Sequence, residues 1–274
     1  MASPDQITVS QLSRLIGRPD APVLVDICID EDFAADPRFI PGAFRHSFTN
    51  IEELVPVLSG RKVVVVCQKG LKLSQGAAAL LRSHGVAAES LAGGNLAWRD
   101  AGLPLVPASA VPARRADGGT LWVTRLRPKI DRIACPWLIR RFVDPRARFL
   151  FVETSQVLEV AERFSATPFD VEGVFWSHRG ERCAFDTMLE EFKLETEPLR
   201  ALAAVVRGAD TNQHDLAPQC AGLLAVSAGL SRMYRDDLEQ LEAGMGLYDA
   251  FYRWALDARD EGHDWPSASV EKVA

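Results

Sequence analysis

The chain has 274 residues, of which 47% are hydrophobic and 25% are charged, and this composition excludes a wholly disordered protein. The net charge of −6 comes from 37 acidic and 31 basic residues, so no overall basic character favours nucleic-acid binding. No apolar stretch reaches the ~20 residues that span a bilayer, and the first residues lack the pattern of a secretory signal. We therefore expect a cytoplasmic protein without a membrane partner.

The first hundred residues alternate between short apolar runs and helical patterns. The runs at 23–27 (VLVDI) and 62–67 (KVVVVC) are continuous and β-branched, which predicts buried strands. This alternation is typical of an α/β domain whose parallel sheet is covered on both faces. The other elements predicted here are helices over 50–58 and 74–84, a third strand over 89–91 and a short helix that ends at 101.

Residues 104–120 carry three of the 16 prolines and an Asp-Gly-Gly turn, with little apolar periodicity. These features are typical of a linker. We therefore divide the chain into a first domain at 1–107, a linker at 108–120 and a second domain at 121–274. Both domains are long enough to bury a core of their own.

The second domain has a different pattern, in which strands are few. Strands are predicted at 121–125 (LWVTR) and 148–152 (RFLFV), and most of the remainder has helical periodicity. The sequence therefore predicts a mainly helical α+β domain. Its predicted helices cover residues 130–142, 156–164, 185–192, 198–207, 216–230 and 236–256.

Cys67 stands where the second predicted strand ends and the loop before the next helix begins. In a parallel α/β sheet, ligands bind at this carboxyl end of the strands. The backbone N–H groups of such a loop can converge on one anion, which the following helix also attracts. A thiol placed there favours its thiolate form and is a candidate nucleophile. The predicted anion-binding residues are Gln68, Lys69, Gly70, Leu71, Lys72 and Leu73.

The alternative for Cys67 is a buried cysteine at a strand end, beside two solvated lysines. The chain has five cysteines and no CxxC pair, a pattern that predicts free thiols in a reducing compartment. The question is therefore which thiol is reactive, and Gly70 with its neighbouring lysines favours Cys67.

Three clusters in the second domain contain side chains that can bind a metal. They lie at residues 124–142, 177–186 and 207–215. Asp131 and Cys135 are four residues apart on a predicted helix and share a face. Side chains from separate segments could hold a divalent first-row ion, with Cys135, His178 and Asp210 as the candidate ligands. No cluster has a diagnostic spacing. The alternative is local charge pairing, of Asp131 with an arginine, of Glu181 with Arg179 or Arg182, and of Asp210 with Arg207.

Residues 1–107 resemble a single-domain rhodanese in four segments that occur in the family's order. LVDI, which includes Asp26, resembles the first buried strand and its acidic end. FIPGAFRHS (39–47) resembles the IPGA segment, and CQKGLK (67–72) stands where the active loop belongs. LAGGNLAWRDAGLPLV (91–106) resembles the closing Gly-Gly, Trp and Gly-Leu-Pro signature.

This resemblance implies a sulfurtransferase that needs no cofactor. Cys67 would take sulfane sulfur from thiosulfate or a related donor and pass it to a thiol or to cyanide. The short loop with a basic third residue resembles the thiosulfate-using type rather than the longer phosphatase-like type. Many relatives have Arg and then Ser where Lys72 and Leu73 stand here, so the charge is kept without a bidentate guanidinium.

Residues 121–256 resemble the C-terminal domain of the ChrB-type chromate-resistance proteins. The resemblance rests on WVTRLRPKIDRIACPWLIRRFVDP, FWSHRGERCAFD and VVRGADTNQHDLAPQCAGLLAVSAGLSRMY. It implies a part in the response to chromate. Full-length relatives have a different N-terminal region that is associated with DNA binding, and a rhodanese-like region stands in its place here.

These features together predict a rhodanese-type sulfurtransferase coupled to a chromate-resistance domain. Its expected partners are small sulfur-containing or oxyanion substrates and thiol acceptors. One alternative is a chromate or redox sensor in which Cys67 is a sensing thiol without turnover. Another is a DNA-binding regulator, against which the acidic balance counts. The sequence leaves the oligomeric state open.

Overall fold

The computed structural model describes residues 5–116 and 118–262. The strands of its N-terminal part are β1 (Gln6–Ile7), β2 (Val23–Asp26), β3 (Arg38–Phe39), β4 (Ala43–Arg45), β5 (Lys62–Val66), β6 (Ala87–Leu91) and β7 (Val106–Pro107). Five of them form a sheet with the order β1-β6-β5-β2-β4, and all neighbours in it are parallel. Strands β3 and β7 form a separate antiparallel ribbon.

The central strands β2 and β5 confirm the predicted runs at 23–27 and 62–67. Their side chains alternate between two hydrophobic cores, because successive residues of a strand point to opposite faces. Val63 and Val65 belong to one core, whereas Val64 and Val66 belong to the other. Both faces of the sheet are thus covered, as the continuous apolar runs predict.

The helices of this part are α1 (Val9–Ser13), α2 (Asp30–Ala35), α3 (Val55–Leu58), α4 (Lys72–Ser83) and α5 (Gly94–Asp100). The helix predicted over 50–58 is divided into a 3-10 helix, Phe48–Leu54, and the short α3. The 3-10 segment is kinked at Asn50, whose backbone angles (φ −114°, ψ 20°) are not helical.

The segment that follows α5 packs closely rather than running free. The indole Nε1 of Trp98 donates a hydrogen bond to the carbonyl of Pro104 at 2.9 Å, and Val106 is buried in β7. Farther along, Arg114 forms an ion pair with Asp144, whose side chain is fully buried. At the start of the predicted linker, Ala108 N–H donates to the carbonyl of Pro37 at 2.9 Å, so its described part is bonded to both neighbouring regions.

The C-terminal part has three strands and six α-helices within the described residues. The strands are β8 (Leu121–Arg125), β9 (Arg148–Val152) and β10 (Thr167–Pro168), in the parallel order β10-β8-β9. The helices are α6 (Asp131–Leu138), α7 (Val157–Phe164), α8 (Ala184–Glu191), α9 (Glu197–Asp210), α10 (Cys220–Met233) and α11 (Asp237–Asp257). This arrangement confirms the predicted α+β class. No helix of the described ranges is both long and apolar enough to cross a bilayer.

One hydrophobic core is continuous across the two parts of the chain. Its members run from Ile7 in β1 to Tyr252 in α11, and it covers one face of the N-terminal sheet. Helix α6 continues as a π-helix over Ile139–Val143, and the carbonyl of Phe142 accepts a hydrogen bond from Gly42 N–H at 2.6 Å. The two domains therefore share apolar packing and a backbone hydrogen bond.

A substitution at Gly17 tests this shared core, because Phe142 and Tyr252 pack directly against that glycine. A Cβ at position 17 would come within 2.7 Å of Phe142 Cε1 and 2.8 Å of Tyr252 Cε1. Gly60 is a matched control, since its φ of +73° resembles the +80° of Gly17 and a Cβ there would have no atom within 4 Å. Both alanine variants carry the same left-handed backbone strain.

We expect Gly17→Ala to lower the free energy of unfolding by about 1–3 kcal/mol more than Gly60→Ala, as overpacking of a core does. Urea denaturation of both variants measures the difference. Equal losses in the two variants would show that the packing between the domains is loose at Gly17.

Candidate functional site

Cys67 lies directly after β5, at the carboxyl end of the sheet, and opens the loop that leads to α4. Its Sγ donates a hydrogen bond to Ser74 Oγ at 3.2 Å, and that hydroxyl donates to the carbonyl of Leu71 at 3.3 Å. Ser74 is fully buried in the first turn of α4, and Cys67 is 5% exposed. The thiol is thus held in a fixed direction at the base of the loop.

The loop carbonyls accept hydrogen bonds from neighbouring segments. The N–H groups of Asn95 and Leu96 donate to the carbonyls of Cys67 and Gln68, each at 3.0 Å. Gln75 donates its side-chain amide to the carbonyl of Gly70 at 3.2 Å and its backbone N–H to Leu71 at 3.0 Å. The carbonyl oxygens are therefore directed outward, away from the centre of the loop.

The N–H groups of the same loop have no such partners. Within the part of the chain that the structure describes, no backbone N–H of residues 68–73 donates a hydrogen bond to another protein group. Free N–H groups in a tight loop before a helix form a binding site for an anion. Lys69 and Lys72 are exposed beside it and add positive charge.

Glycines allow the loop to lie directly on the turn that precedes α5. Gly70 has a φ of +65°, and a Cβ there would collide with the carbonyl of Leu91 and lie 2.6 Å from the nitrogens of Gly93 and Gly94. A Cβ on Gly94 would in turn collide with the carbonyl of Cys67. Gly70 and the Gly93-Gly94 pair therefore pack directly against each other, backbone against backbone.

Asp26 fixes the other side of the loop. Its carboxylate is buried, and it accepts hydrogen bonds from Cys28 N–H at 2.8 Å and from the side-chain amide of Asn95 at 3.1 Å. Burial, followed by repulsion from Asp26, raises the pKa of the Cys28 thiol well above its usual range. Cys28 is therefore held as a neutral thiol next to the reactive loop.

A second group of titratable side chains lies in the C-terminal domain. Asp131 begins α6, Asp170 follows β10, His178 precedes α8 and Asp210 ends α9. The Nε2 of His178 lies 3.5 Å from Asp131 Oδ2 and 3.3 Å from both Asp170 Oδ1 and Asp210 Oδ2. We call these four residues the His178 cluster.

Neighbouring groups hold two of the carboxylates of the His178 cluster in place. Asp131 Oδ2 accepts a hydrogen bond from Ala184 N–H at 2.7 Å. Asp170 Oδ2 pairs with Arg125 at 3.3 Å and with Arg132 at 3.2 Å. The other oxygen of Asp170 is left to face the imidazole.

The electrostatics of the cluster are those of several negative charges around one weak base. Hydrogen bonding to Asp131, Asp170 and Asp210 raises the pKa of His178 to about 12. Burial, with repulsion from Asp210 and Asp170, raises the pKa of Asp131 to about 7, although the interaction with His178 opposes this shift. The site therefore favours any cation placed between these side chains.

Two of the three predicted metal ligands, His178 and Asp210, lie together. Among the described residues, the ligand atoms of Asp131, Asp170 and His178 lie within 4.8 Å of one another. This group includes neither Cys135 nor Asp210, although Asp210 Oδ2 lies 3.3 Å from His178 Nε2. Cys135 is fully buried one helical turn after Asp131, and burial raises the pKa of its thiol. The sequence did not single out Asp170, because the two-residue strand before it has no recognisable pattern.

The local charge pairing considered as the alternative is wrong. The arginines near the cluster pair with more distant carboxylates, because α8 and its preceding loop bring these within reach. The pairs are Arg179 with Glu191 at 2.5 Å, Arg182 with Glu190 at 2.7 Å and Arg207 with Asp186 at 2.8 Å. All five cysteines are free, as the sequence predicts.

Comparison with known proteins agrees with this two-part organisation. Residues 8–101 match the family model of the rhodanese-like domain, and residues 122–255 match that of the ChrB C-terminal domain. Protein ChrB of Cupriavidus metallidurans is 34% identical over 178 residues, which cover 60% of this chain and 53% of ChrB. The match thus spans about half the length of that relative.

Two solved structures are similar to the N-terminal part. A rhodanese-like domain protein from Staphylococcus aureus is 24% identical, with 34% of this chain and 90% of that chain covered and a TM-score of 0.31. A thiosulfate sulfurtransferase from Pseudomonas aeruginosa is 28% identical, with 38% and 19% covered and a TM-score of 0.33. From the two family matches, the chain contains a rhodanese-like domain followed by a ChrB C-terminal domain.

Proposed function

We propose that the rhodanese-like domain is a sulfurtransferase that carries sulfane sulfur as a persulfide on Cys67. The observation that carries this proposal is the loop around the thiol, whose carbonyls are engaged from outside while the N–H groups of residues 68–73 are free within the described chain. Such a loop stabilises negative charge on a sulfur atom or on a bound oxyanion. Thiosulfate and a persulfide both carry that charge.

The transfer has two displacement steps. In the first, the Cys67 thiolate attacks the outer sulfur of thiosulfate, a new S–S bond forms, and the S–S bond of thiosulfate breaks with its electron pair leaving on sulfite. In the second, cyanide or a thiolate attacks the outer sulfur of the persulfide. The bond to Cys67 then breaks, thiocyanate or a new persulfide leaves, and the Cys67 thiolate is restored.

The neighbouring residues have separate parts in these steps. The free N–H groups and the N-terminus of α4 stabilise the sulfite that forms as well as the persulfide anion. The hydroxyl of Ser74 accepts from the thiol and can rotate to donate to the thiolate. Lys69 and Lys72 attract the donor by charge, and Lys72 does so without the paired contacts of an arginine.

We further propose that the ChrB C-terminal domain couples this chemistry to chromate resistance. The similarity to Protein ChrB supports this assignment, as does the shared core that joins the two domains. Thiosulfate and chromate are both small oxyanions, so the same kind of electrostatic attraction can bring either anion to one protein. Five free thiols fit a reducing compartment such as the cytoplasm.

Steady-state assays of thiosulfate:cyanide sulfur transfer test the role of Cys67. We expect the wild type to turn over and Cys67→Ser to lose roughly 10³-fold or more in rate, as the loss of a catalytic nucleophile does. Cys220→Ala, a buried thiol in α10, is the control and should retain the rate. A folded wild type without turnover, whose Cys67 is instead oxidised by chromate, would favour the sensor alternative.

Limited alkylation with iodoacetamide at about pH 8 compares the reactivity of Cys67 with that of Cys28. Cys67 and Cys28 are similarly accessible, at 5% and 7% exposure, so a difference in their labelling reports ionisation. Burial and Asp26 raise the pKa of Cys28, which therefore stays protonated as the pH rises through the usual thiol range. Peptide mapping should find Cys67 labelled before Cys28, and equal labelling would contradict the raised pKa of Cys28.

A further inference from the structure

We propose that the His178 cluster binds a divalent first-row metal ion, with His178, Asp131 and Asp170 as its ligands and Asp210 beside His178. This site lies in the ChrB C-terminal domain, and metal binding there does not depend on sulfur transfer by Cys67. Three observations support it: the geometry of the four side chains, an unpartnered buried oxygen, and the cavity that leads to them.

The ligand atoms of Asp131, Asp170 and His178 lie within 4.8 Å of one another, so one metal ion can reach all three. Ligand bonds of 2.0–2.2 Å in a tetrahedral site place neighbouring donor atoms about 3.3–3.6 Å apart. His178 Nε2 lies 3.3 Å from the nearest oxygens of Asp170 and Asp210 and 3.5 Å from that of Asp131. Four separate segments of the domain supply these atoms, so the fold itself brings them together.

A protonated imidazole does not account for the arrangement. Nε2 has a single N–H, which donates one well-directed hydrogen bond, yet three carboxylate oxygens surround it at similar distances. Asp131 is fully buried, and its Oδ1 has no hydrogen-bond partner within the described part of the chain. A buried carboxylate oxygen without a partner is costly, and a bound cation removes that cost.

The surroundings of the cluster resemble the outer shell of a metal site. Arg125 and Arg132 hold one oxygen of Asp170, and the N–H of Ala184 holds one oxygen of Asp131. Metal-binding carboxylates are commonly oriented by such contacts. The three carboxylates outnumber the two arginines, both of which pair with Asp170, so negative charge remains for a cation to offset.

The donor set determines the class of metal. One imidazole nitrogen with carboxylate oxygens suits Mn²⁺, Fe²⁺ or Zn²⁺, whereas soft ions such as Cu⁺ require thiolate or thioether ligands. Cys135, the nearest such candidate from the sequence, does not belong to the group of ligand atoms. We therefore use Mn²⁺ and Zn²⁺ as probes.

A cavity of about 660 Å³ provides the route to the site. Asp170 and His178 line it together with Arg125, Thr154 and Ser177. The His178 side chain is 39% exposed, in contrast to the buried Asp131. An ion can therefore enter from this side.

Equilibrium dialysis of the chelator-treated full chain against Mn²⁺ or Zn²⁺, followed by metal analysis, tests the proposal. We expect one ion per chain and a rise in the melting temperature on loading, because an ion that binds only the folded state stabilises it. His178→Ala and Asp210→Asn should each weaken binding by at least about 10-fold. These two side chains are partly exposed, so their variants are expected to fold.

His84→Ala and Asp215→Asn are matched controls, since these residues are of the same types and lie outside the His178 cluster. Both should bind as the wild type does, with circular dichroism confirming the fold of every variant. A folded wild type that binds neither ion would overturn the proposal. Equal binding by the wild type, the cluster variants and the controls would overturn it as well, because the ion would then be held elsewhere.

Discussion

The conformation of the Cys67 loop depends on one backbone contact, in which the loop after β5 lies directly on the Gly93-Gly94 turn. The closeness of this contact leaves no room for a Cβ at Gly70 or Gly94. It also allows Asn95 and Leu96 to donate hydrogen bonds to the loop carbonyls, which leaves the loop N–H groups directed elsewhere. The site for an anion is therefore a consequence of where the carbonyls are bound, and the exposed lysines only add to it.

The candidate sites of the two domains favour ions of opposite charge. The rhodanese-like domain collects N–H donors around Cys67, an arrangement that stabilises an anion. The ChrB C-terminal domain collects carboxylates around His178 and so favours a cation. Their shared core fixes the two domains against each other, since Phe142 of the π-helix contacts Gly17 and Gly42 of the N-terminal domain.

Much of the fold and the position of Cys67 could be predicted, because both depend on local patterns. The β-branched runs at β2 and β5 indicate a parallel sheet, and a cysteine after such a strand lies at its ligand-binding end. The His178 cluster could be predicted only in part, since its side chains come from four segments whose approach depends on tertiary packing. Asp170 follows a two-residue strand without periodicity, and Cys135 shares a helix face with Asp131 but lies deeper in the core.

The central claim, that Cys67 carries the sulfur, is tested most directly by peptide-level mass spectrometry of the full chain after incubation with thiosulfate. We expect one added sulfur atom on the peptide that contains Cys67, its removal by cyanide, and its absence in Cys67→Ser. Added sulfur on Cys28 instead, or no added sulfur on a folded chain, would contradict the assignment of Cys67 as the sulfur-carrying nucleophile.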